Sequence, residues 1–324
     1  MIDIKGKLFI APLAGYSDPV FRKLNRRFGA DITVSEMISV KAALFRQKKT
    51  LLMADADPEG ADRPYGIQLF GSEPEEFGYA ASVLQERVKP EFFDINCGCP
   101  VRKVLRQKSG SWLLTDPPRI RRIVEAVKKA VPSVPVSAKI RLGFDDKKNH
   151  RETAQAAADG GADFLVVHAR TRPQLFSGPP DLDAIRELKA MLTIPVVGNG
   201  GVRDTATWKA MVEAGADAVM IGLGAIGRPW VFSEIAAARD GREWTPPSTA
   251  EQIDIFYGHM KEFCERVPGQ PGVTVSRCYA MQYIKNILRD RPGIKDFLRR
   301  YSVFKEWAEI ELFIADMRRF CGIE

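Results

Sequence analysis

The stretch Asp94-Ile95-Asn96-Cys97-Gly98-Cys99-Pro100, followed by Val101-Arg102-Lys103, brings together an amide, two thiols and a cationic run with no acid up to Lys108. Glu91 to Ile95 reads as a short apolar strand, so Asn96 opens the loop at its C-terminal end, and Pro100 blocks further pairing. A thiol at a strand end beside a cationic loop is placed to give a proton to an anionic substrate. The plain alternative is a buried cysteine pair in a turn, since free Cys is among the most buried residue types. Five other polar residues occupy comparable places. Gln68, Asn96, Lys139, His168 and Asn199, like Cys99, fall at or just after the C-terminal end of an apolar run. Singly, these are a core amide, a strand-end charge or a satisfied histidine; together on one rim they indicate a site.

The elements that must hold them alternate. Leu8–Ala11, Ile32–Ser35, Tyr65–Leu69, Glu91–Ile95, Val136–Ile140, Phe164–His168, Pro195–Asn199 and Ala218–Ile221 read as strands, with helical spacing between them. Pro74–Val88, Pro117–Val131 and Leu182–Met191 are examples of the intervening helices. Eight βα units by Ile235 predict a (β/α)8 TIM barrel, an α/β fold whose C-terminal strand ends converge on one mouth. The composition changes after Glu243. Pro246-Pro247-Ser248-Thr249 reads as a linker and N-cap, so residues 1–243 are expected to form the barrel and 246–324 a small all-helical domain. Helices are predicted over 253–267, 275–288 and 303–320.

Bulk properties narrow the function classes. The 324 residues carry a formal charge of +7 and are 45% apolar, which suits a soluble protein with an anionic partner. Five scattered Cys and no signal-peptide pattern predict reduced thiols and a cytoplasmic location. No apolar run is long enough to span a bilayer, and three His without a CxxC predict no metal site. Arg277 to Arg300 holds seven Lys/Arg against two Asp, interleaved with Tyr279, Tyr283 and Phe297. Such a stretch suits RNA backbone and unstacked bases, and equally a solvated helix face with core aromatics.

The rim residues describe a cofactor. Asn199-Gly200-Gly201 and Gly222-Leu223-Gly224 follow the seventh and eighth strands, where barrels frequently bind a phosphate. Lys139 supplies a cation for a ring that becomes anionic on reduction, and Gln68 can donate and accept at a ring edge. Phosphate at one side, amide and ammonium in the middle and a thiol opposite describe a flavin redox site. The dinucleotide fingerprint GxGxxG is missing after the first strand, which excludes a resident NAD domain.

The chain resembles the tRNA-dihydrouridine synthase family, FMN enzymes that reduce uridine in folded tRNA. The likeness rests on Ala11-Pro12-Leu13-Ala14-Gly15, Gln68-Leu69, Asp94-Ile95-Asn96 with Gly98-Cys99-Pro100, Lys139-Ile140-Arg141-Leu142-Gly143, His168-Ala169-Arg170-Thr171-Arg172, Asn199-Gly200-Gly201 and Gly227-Arg228-Pro229-Trp230. It implies FMN across the mouth, with its ring near Pro12, Leu13, Ala14, Gln68, Lys139 and His168. Its phosphate would lie on Asn199, Gly200, Gly201, Gly222, Leu223 and Gly224. NADPH would reduce the flavin, hydride would pass from flavin N5 to uracil C6, and Cys99 would protonate C5. Asn96 and Arg170 would hold the base, and Arg102, Lys103 and Arg277 the tRNA, with the protein acting as a monomer. Three departures matter. Leu223 stands where the family has Arg, leaving Arg203 or Arg228 to meet the phosphate. Cys97 replaces an apolar residue and invites oxidation with Cys99. Arg277-Cys278-Tyr279 replaces Arg-Lys-His. The competing readings are a barrel acting on a free pyrimidine or enone, and a flavin-free RNA-binding relative.

Overall fold

The computed structural model describes residues 2–323. Its strands are β1 (Leu8–Ile10), β2 (Thr33–Ser39), β3 (Tyr65–Phe70), β4 (Phe92–Cys97), β5 (Val136–Arg141), β6 (Phe164–His168), β7 (Val196–Asn199) and β8 (Ala218–Ile221). The barrel helices are α1 (Pro19–Arg27), α2 (Val40–Leu44), α3 (Lys48–Met53), α4 (Pro74–Val88), α5 (Arg102–Leu105), α6 (Pro117–Ala130), α7 (His150–Asp159), α8 (Leu182–Met191), α9 (Thr205–Glu213) and α10 (Val231–Arg239). The strands pair in the order β1-β8-β7-β6-β5-β4-β3-β2. A parallel bridge between Phe9 and Ile32, with Ile10 N donating to Ile32 O at 2.9 Å, joins β1 to β2 and closes the ring. The expected (β/α)8 barrel is present. β4 runs two residues further than expected, which puts Asn96 and Cys97 inside the strand.

Strand alternation divides each strand between two cores. One parity packs outward beneath the helices: Phe93, Ile95 and Cys97 of β4, and Val136, Ala138 and Ile140 of β5. The other parity fills the barrel. At the N-terminal end it is apolar, with the rings of Phe9, Phe92 and Phe164 in mutual contact at 5.4–6.4 Å between centroids. Gly66 makes room for them, since a Cβ there would lie 2.2 Å from the Phe92 ring. Further up the same parity the side chains turn polar: Gln68, Asp94 and Asn96, Ser137, Lys139 and Arg141, His168, Asn199. The closed lower half keeps water out, and the upper half holds the chemistry.

The lower rim is fastened by a repeated clasp. An acid just before each even-numbered strand accepts the first N–H of the preceding strand: Asp31 from Leu8, Glu91 from Tyr65, Asp163 from Val136 and Asp217 from Val196, at 2.7–2.8 Å. Each acid also pairs with a cation, respectively Arg239, Arg63, Lys128 and Lys189.

After the linker come α11 (Thr249–Arg266), α12 (Gln270–Ile287), α13 (Ile294–Tyr301) and α14 (Trp307–Phe320). Ser248 and Glu251 form the capping box at the start of α11. Four helices stand where the spacing predicts three, because Pro292-Gly293 breaks the chain and Gly293, at φ 93°, starts a helix of its own. The aromatics of the basic stretch are not a stacking platform. Tyr279, Tyr283 and Phe297 are buried core, packing with His259, Phe256 and Phe313. α12 sits on the barrel rim: Tyr279 Oη donates to Asp18 and lies 2.5 Å from Tyr16 O, and Asn286 Nδ2 donates to Gly227 O at 3.1 Å. These contacts tie it to the loops after β1 and β8. No helix among the described residues is long and apolar enough to cross a membrane.

Gly66→Ala should destabilise the protein by about 1–3 kcal/mol, the range for overpacking a filled core. Adding Phe92→Leu should recover part of the loss, as read from denaturant midpoints of the two variants.

Candidate active site

The upper half of the barrel opens into a cavity of about 660 Å³, within the range of roughly 300–1,000 Å³ that small-molecule and cofactor sites occupy. Its wall includes Pro12, Leu13 and Ala14 after β1, Gln68, Asn96, Cys99, Lys139, His168, Arg170, and the glycine loops Asn199–Gly201 and Gly222–Gly224. The candidate rim residues therefore share one mouth. Arg102 and Lys103 lie outside it, exposed on α5, and Arg277 lies in α12, where its guanidinium donates to Phe304 O.

The floor is a hydrogen-bond relay. Asp94 is buried and accepts from Ser137 Oγ and from Gln68 Nε2, each at 2.6 Å. Gln68 Oε1 accepts from Asn96 Nδ2 at 2.7 Å, and Asn96 Oδ1 accepts from the backbone N–H groups of Gly98 and Cys99 at 3.1 and 2.9 Å. Both ends of the relay are unambiguous. Backbone N–H groups require the Asn96 oxygen, and a carboxylate requires the Gln68 nitrogen, so both amides have their sense fixed. The relay thereby pins the Cys99 loop from below. Burial pushes the Asp94 carboxyl up, opposed by Ser137, Gln68 and Lys139.

Cys99 and Cys97 part company despite their spacing. Cys97 is fully buried in the layer between strands and helices, while Cys99 faces the cavity, and both are free thiols. The spacing that invites oxidation of the pair is opposed by strand parity, which sends Cys97 away from the mouth. Burial raises the Cys99 thiol above its ordinary value, opposed by a hydrogen bond from the Val101 backbone and by Arg141 and Lys139. The thiol is held protonated.

Around it stand three cations and a neutral imidazole. Lys139 Nζ donates to Asn199 Oδ1 at 3.0 Å, and Asn199 Nδ2 donates to Met220 O at 2.8 Å. The Asn199 amide therefore positions Lys139, and the backbone that follows it is what faces a ligand. Burial, reinforced by Arg141, pushes Lys139 below the usual ammonium range. Arg141 Nε donates to Gly98 O at 2.9 Å and its Nη1 donates to Thr171 O and Leu175 O in the loop after β6, so it ties that loop to the Cys99 loop. His168 is pushed far below the ordinary imidazole range by burial and by Lys139, Arg141 and Arg170. Arg170 donates to its Nε2 at 3.2 Å, which leaves the proton on Nδ1. Arg170 also donates to Gly178 O and lies against Gly200 and Gly201.

Those two glycines, at φ 114° and 74°, bring backbone close to Arg170 and His168 in a conformation other residues rarely adopt. The Gly222–Gly224 loop packs onto the β7 loop so closely that a Cβ on Gly224 would lie 2.5 Å from Val202 O. Leu223 is 52% exposed at the cavity wall. Of the two cations expected to answer for it, Arg203 lines the cavity, while Arg228 is held by Glu234 at 2.6 Å and by Arg203 O.

Asp94, Arg141 and Phe176 escaped the sequence reasoning as site residues. Asp94 and Arg141 keep strict strand alternation with Asn96 and Lys139, which is the signal that finds them. Phe176 is 57% exposed on the loop after β6, with the Arg141 guanidinium 5.7 Å from its ring centroid, and nothing in its spacing marks it.

Fold and mouth together define a (β/α)8 barrel with a cavity-facing thiol, a cationic wall and a pair of glycine loops at one opening. A family model described as dihydrouridine synthase matches residues 9–303. A tRNA-dihydrouridine synthase B of Xanthomonas axonopodis pv. citri (strain 306) is 40% identical over 299 residues, 91% of this chain and 87% of its own. That of Escherichia coli (strain K12) is 37% identical over 310 residues, 94% of each. A probable tRNA-dihydrouridine synthase of Rickettsia prowazekii (strain Madrid E) is 34% identical over 97% of this chain and 95% of its own. The chain belongs to the dihydrouridine synthase family.

Asp94→Leu should leave Gln68 Nε2 and Ser137 Oγ without partners, at about 1–3 kcal/mol for each. Asp94→Asn should stay near the parent stability, because the Ser137 hydroxyl can turn and accept from the new amide. Chemical denaturation of the two variants separates these outcomes.

Proposed function

We propose that the protein reduces the C5=C6 bond of uracil in specific uridines of tRNA, with FMN as resident cofactor and NADPH as reductant. The observation that carries this reading is Cys99: a protonated thiol on a pinned loop, facing the same cavity as a cationic wall and a glycine cradle. The donor set suits FMN. Backbone at Gly200, Gly201, Gly222 and Gly224 with Arg203 would hold the phosphate. Gln68, Lys139 and the Nδ1–H of His168 would meet the ring, beside Pro12, Leu13 and Ala14. When bound, FMN supplies the hydride that uracil C6 receives.

The chain's own residues supply the rest. Asn96, whose oxygen is spent on backbone, presents N–H to a base carbonyl. Cys99 delivers a proton to C5 and is left as a thiolate, which Lys139 and Arg141 stabilise until solvent returns the proton. The apolar floor of Phe9, Phe92 and Phe164 keeps water from entering below the ring.

Dihydrouridine mapped in tRNA from cells lacking the protein tests the reading directly: an unchanged pattern would sink it. Cys99→Ala should keep flavin and NADPH oxidation and lose about 10²–10⁴-fold in uridine reduction, the usual contribution of a general acid. Cys97→Ala should remain active and melt lower, since it empties a buried position. An inactive Cys97→Ala with active Cys99→Ala would reverse the assignment.

Arg203→Gln should weaken FMN binding to apo-protein, and Leu223→Arg should restore it in the same background. A charge-assisted contact of this kind contributes about 1.5–3 kcal/mol. Flavin titrations of the three forms give the answer; unchanged binding by Arg203→Gln would show that the backbone cradle alone holds the phosphate.

A further inference from the structure

A second cation-rich stretch leaves the same mouth and takes no part in the site. Between Met37 and Ala54 stand Lys41, Arg46, Lys48 and Lys49, with no acid among them. All four are exposed, and among the described residues none forms an ion pair. Phe45 lies in their midst at 66% exposure, the most exposed aromatic ring of the described residues. The stretch begins at the cavity: Met37 of β2 lines the wall, and Ser39 Oγ accepts from Ala42 N to start α2.

Its position relative to the helical tail gives it meaning. α12 is tied to the loops after β1 and β8, so the tail covers that side of the mouth. β2 and β4 flank β3 on another side. There the α2–α3 stretch and the run Arg102, Lys103, Arg106 and Lys108 after β4 both leave the wall, again without an acid. In the tail, four cations are paired: Arg299 with Asp296, Arg300 and Arg319 with Asp316, and Arg318 with Asp254. Residues 41–49 add to the barrel side of the opening a run of exposed positive charge with no acid within it.

We propose that residues 41–49 form an RNA-docking surface. Lys41, Arg46, Lys48 and Lys49 receive phosphates flanking the nucleotide delivered to the cavity, and the Phe45 ring receives an unstacked base. Free cations without neighbouring acids suit a polyanion, and an exposed ring among them suits a nucleobase face, the combination by which single-stranded nucleic acid is held. This inference rests on the tRNA reading above.

The test is a quadruple variant, Lys41→Gln, Arg46→Asn, Lys48→Gln and Lys49→Gln, with Phe45→Ala made separately. Asn suits position 46 because Arg46 has φ 48°. These surface changes remove no contact within the fold, and flavin content checks that the barrel is intact. Affinity for tRNA is measured from about 50 to 200 mM salt; each lost phosphate contact flattens the log–log slope by about 0.7–0.9, so a fall of about 3–3.5 is expected for the four. Phe45→Ala should weaken binding about tenfold with the slope unchanged, because stacking carries no counterion term. A quadruple variant with the parent slope and affinity overturns the docking surface while leaving the enzyme's substrate untouched. Failure of the parent protein to bind tRNA at any salt overturns both readings together.

Discussion

The mouth of this barrel depends on one buried carboxylate. Asp94 lies buried below the cavity without an ion pair among the described residues, and it is tolerated because Ser137 and Gln68 both donate to it. That requirement dictates the orientation of two amides above it and, through Asn96, the position of two backbone N–H groups in the Cys99 loop. An acceptor-only group at the bottom turns the free amide hydrogens upward. The cavity therefore greets a ligand with donors, which is what the carbonyl-rich edges of a flavin and a uracil accept.

The same economy runs around the wall. Lys139, Arg141 and Arg170 face a cavity with no acid among its described lining residues, and burial together with their mutual repulsion drives His168 neutral and Lys139 below its usual range. Such a wall gains from an anion. The thiol shares it without ionising, since its burial outweighs the neighbouring cations. A protonated thiol and a cationic wall thus coexist in one cavity, because burial acts more strongly on the thiol than the neighbouring cations do.

Much of this was legible in the chain. The apolar runs located every strand, and the polar residues at their ends mark the mouth because a closed parallel sheet gathers those ends. What spacing did not reveal was direction at strand ends. Cys97 and Cys99 look alike in sequence, yet the strand continues through Cys97 and its parity points it outward. Arg170, expected to hold the base, lines the cavity and also lies against Gly200 and Gly201, where its side chain follows the turn after β6. The tail shows a deeper ambiguity. Tyr279, Tyr283 and Phe297 among Lys and Arg have the same spacing whether the rings face a nucleic acid or a helical core, and only the packing of α11 to α14 decides for the core.

The four clasps on the lower rim bear on how the molecule assembles. Each joins two strands separated by only about twenty to thirty residues, so each closes a short loop and costs little chain entropy. The barrel can form as four local pairs: β1–β2, β3–β4, β5–β6 and β7–β8. The junction of β1 with β8 spans most of the barrel and must come last. The mouth draws on all four pairs: Ala11 from the first, Asn96 from the second, Lys139 from the third and Asn199 from the fourth. A half-assembled barrel can accordingly hold native strands and native clasps and still have no cavity, so that retention of the proposed cofactor would report on ring closure rather than on secondary structure.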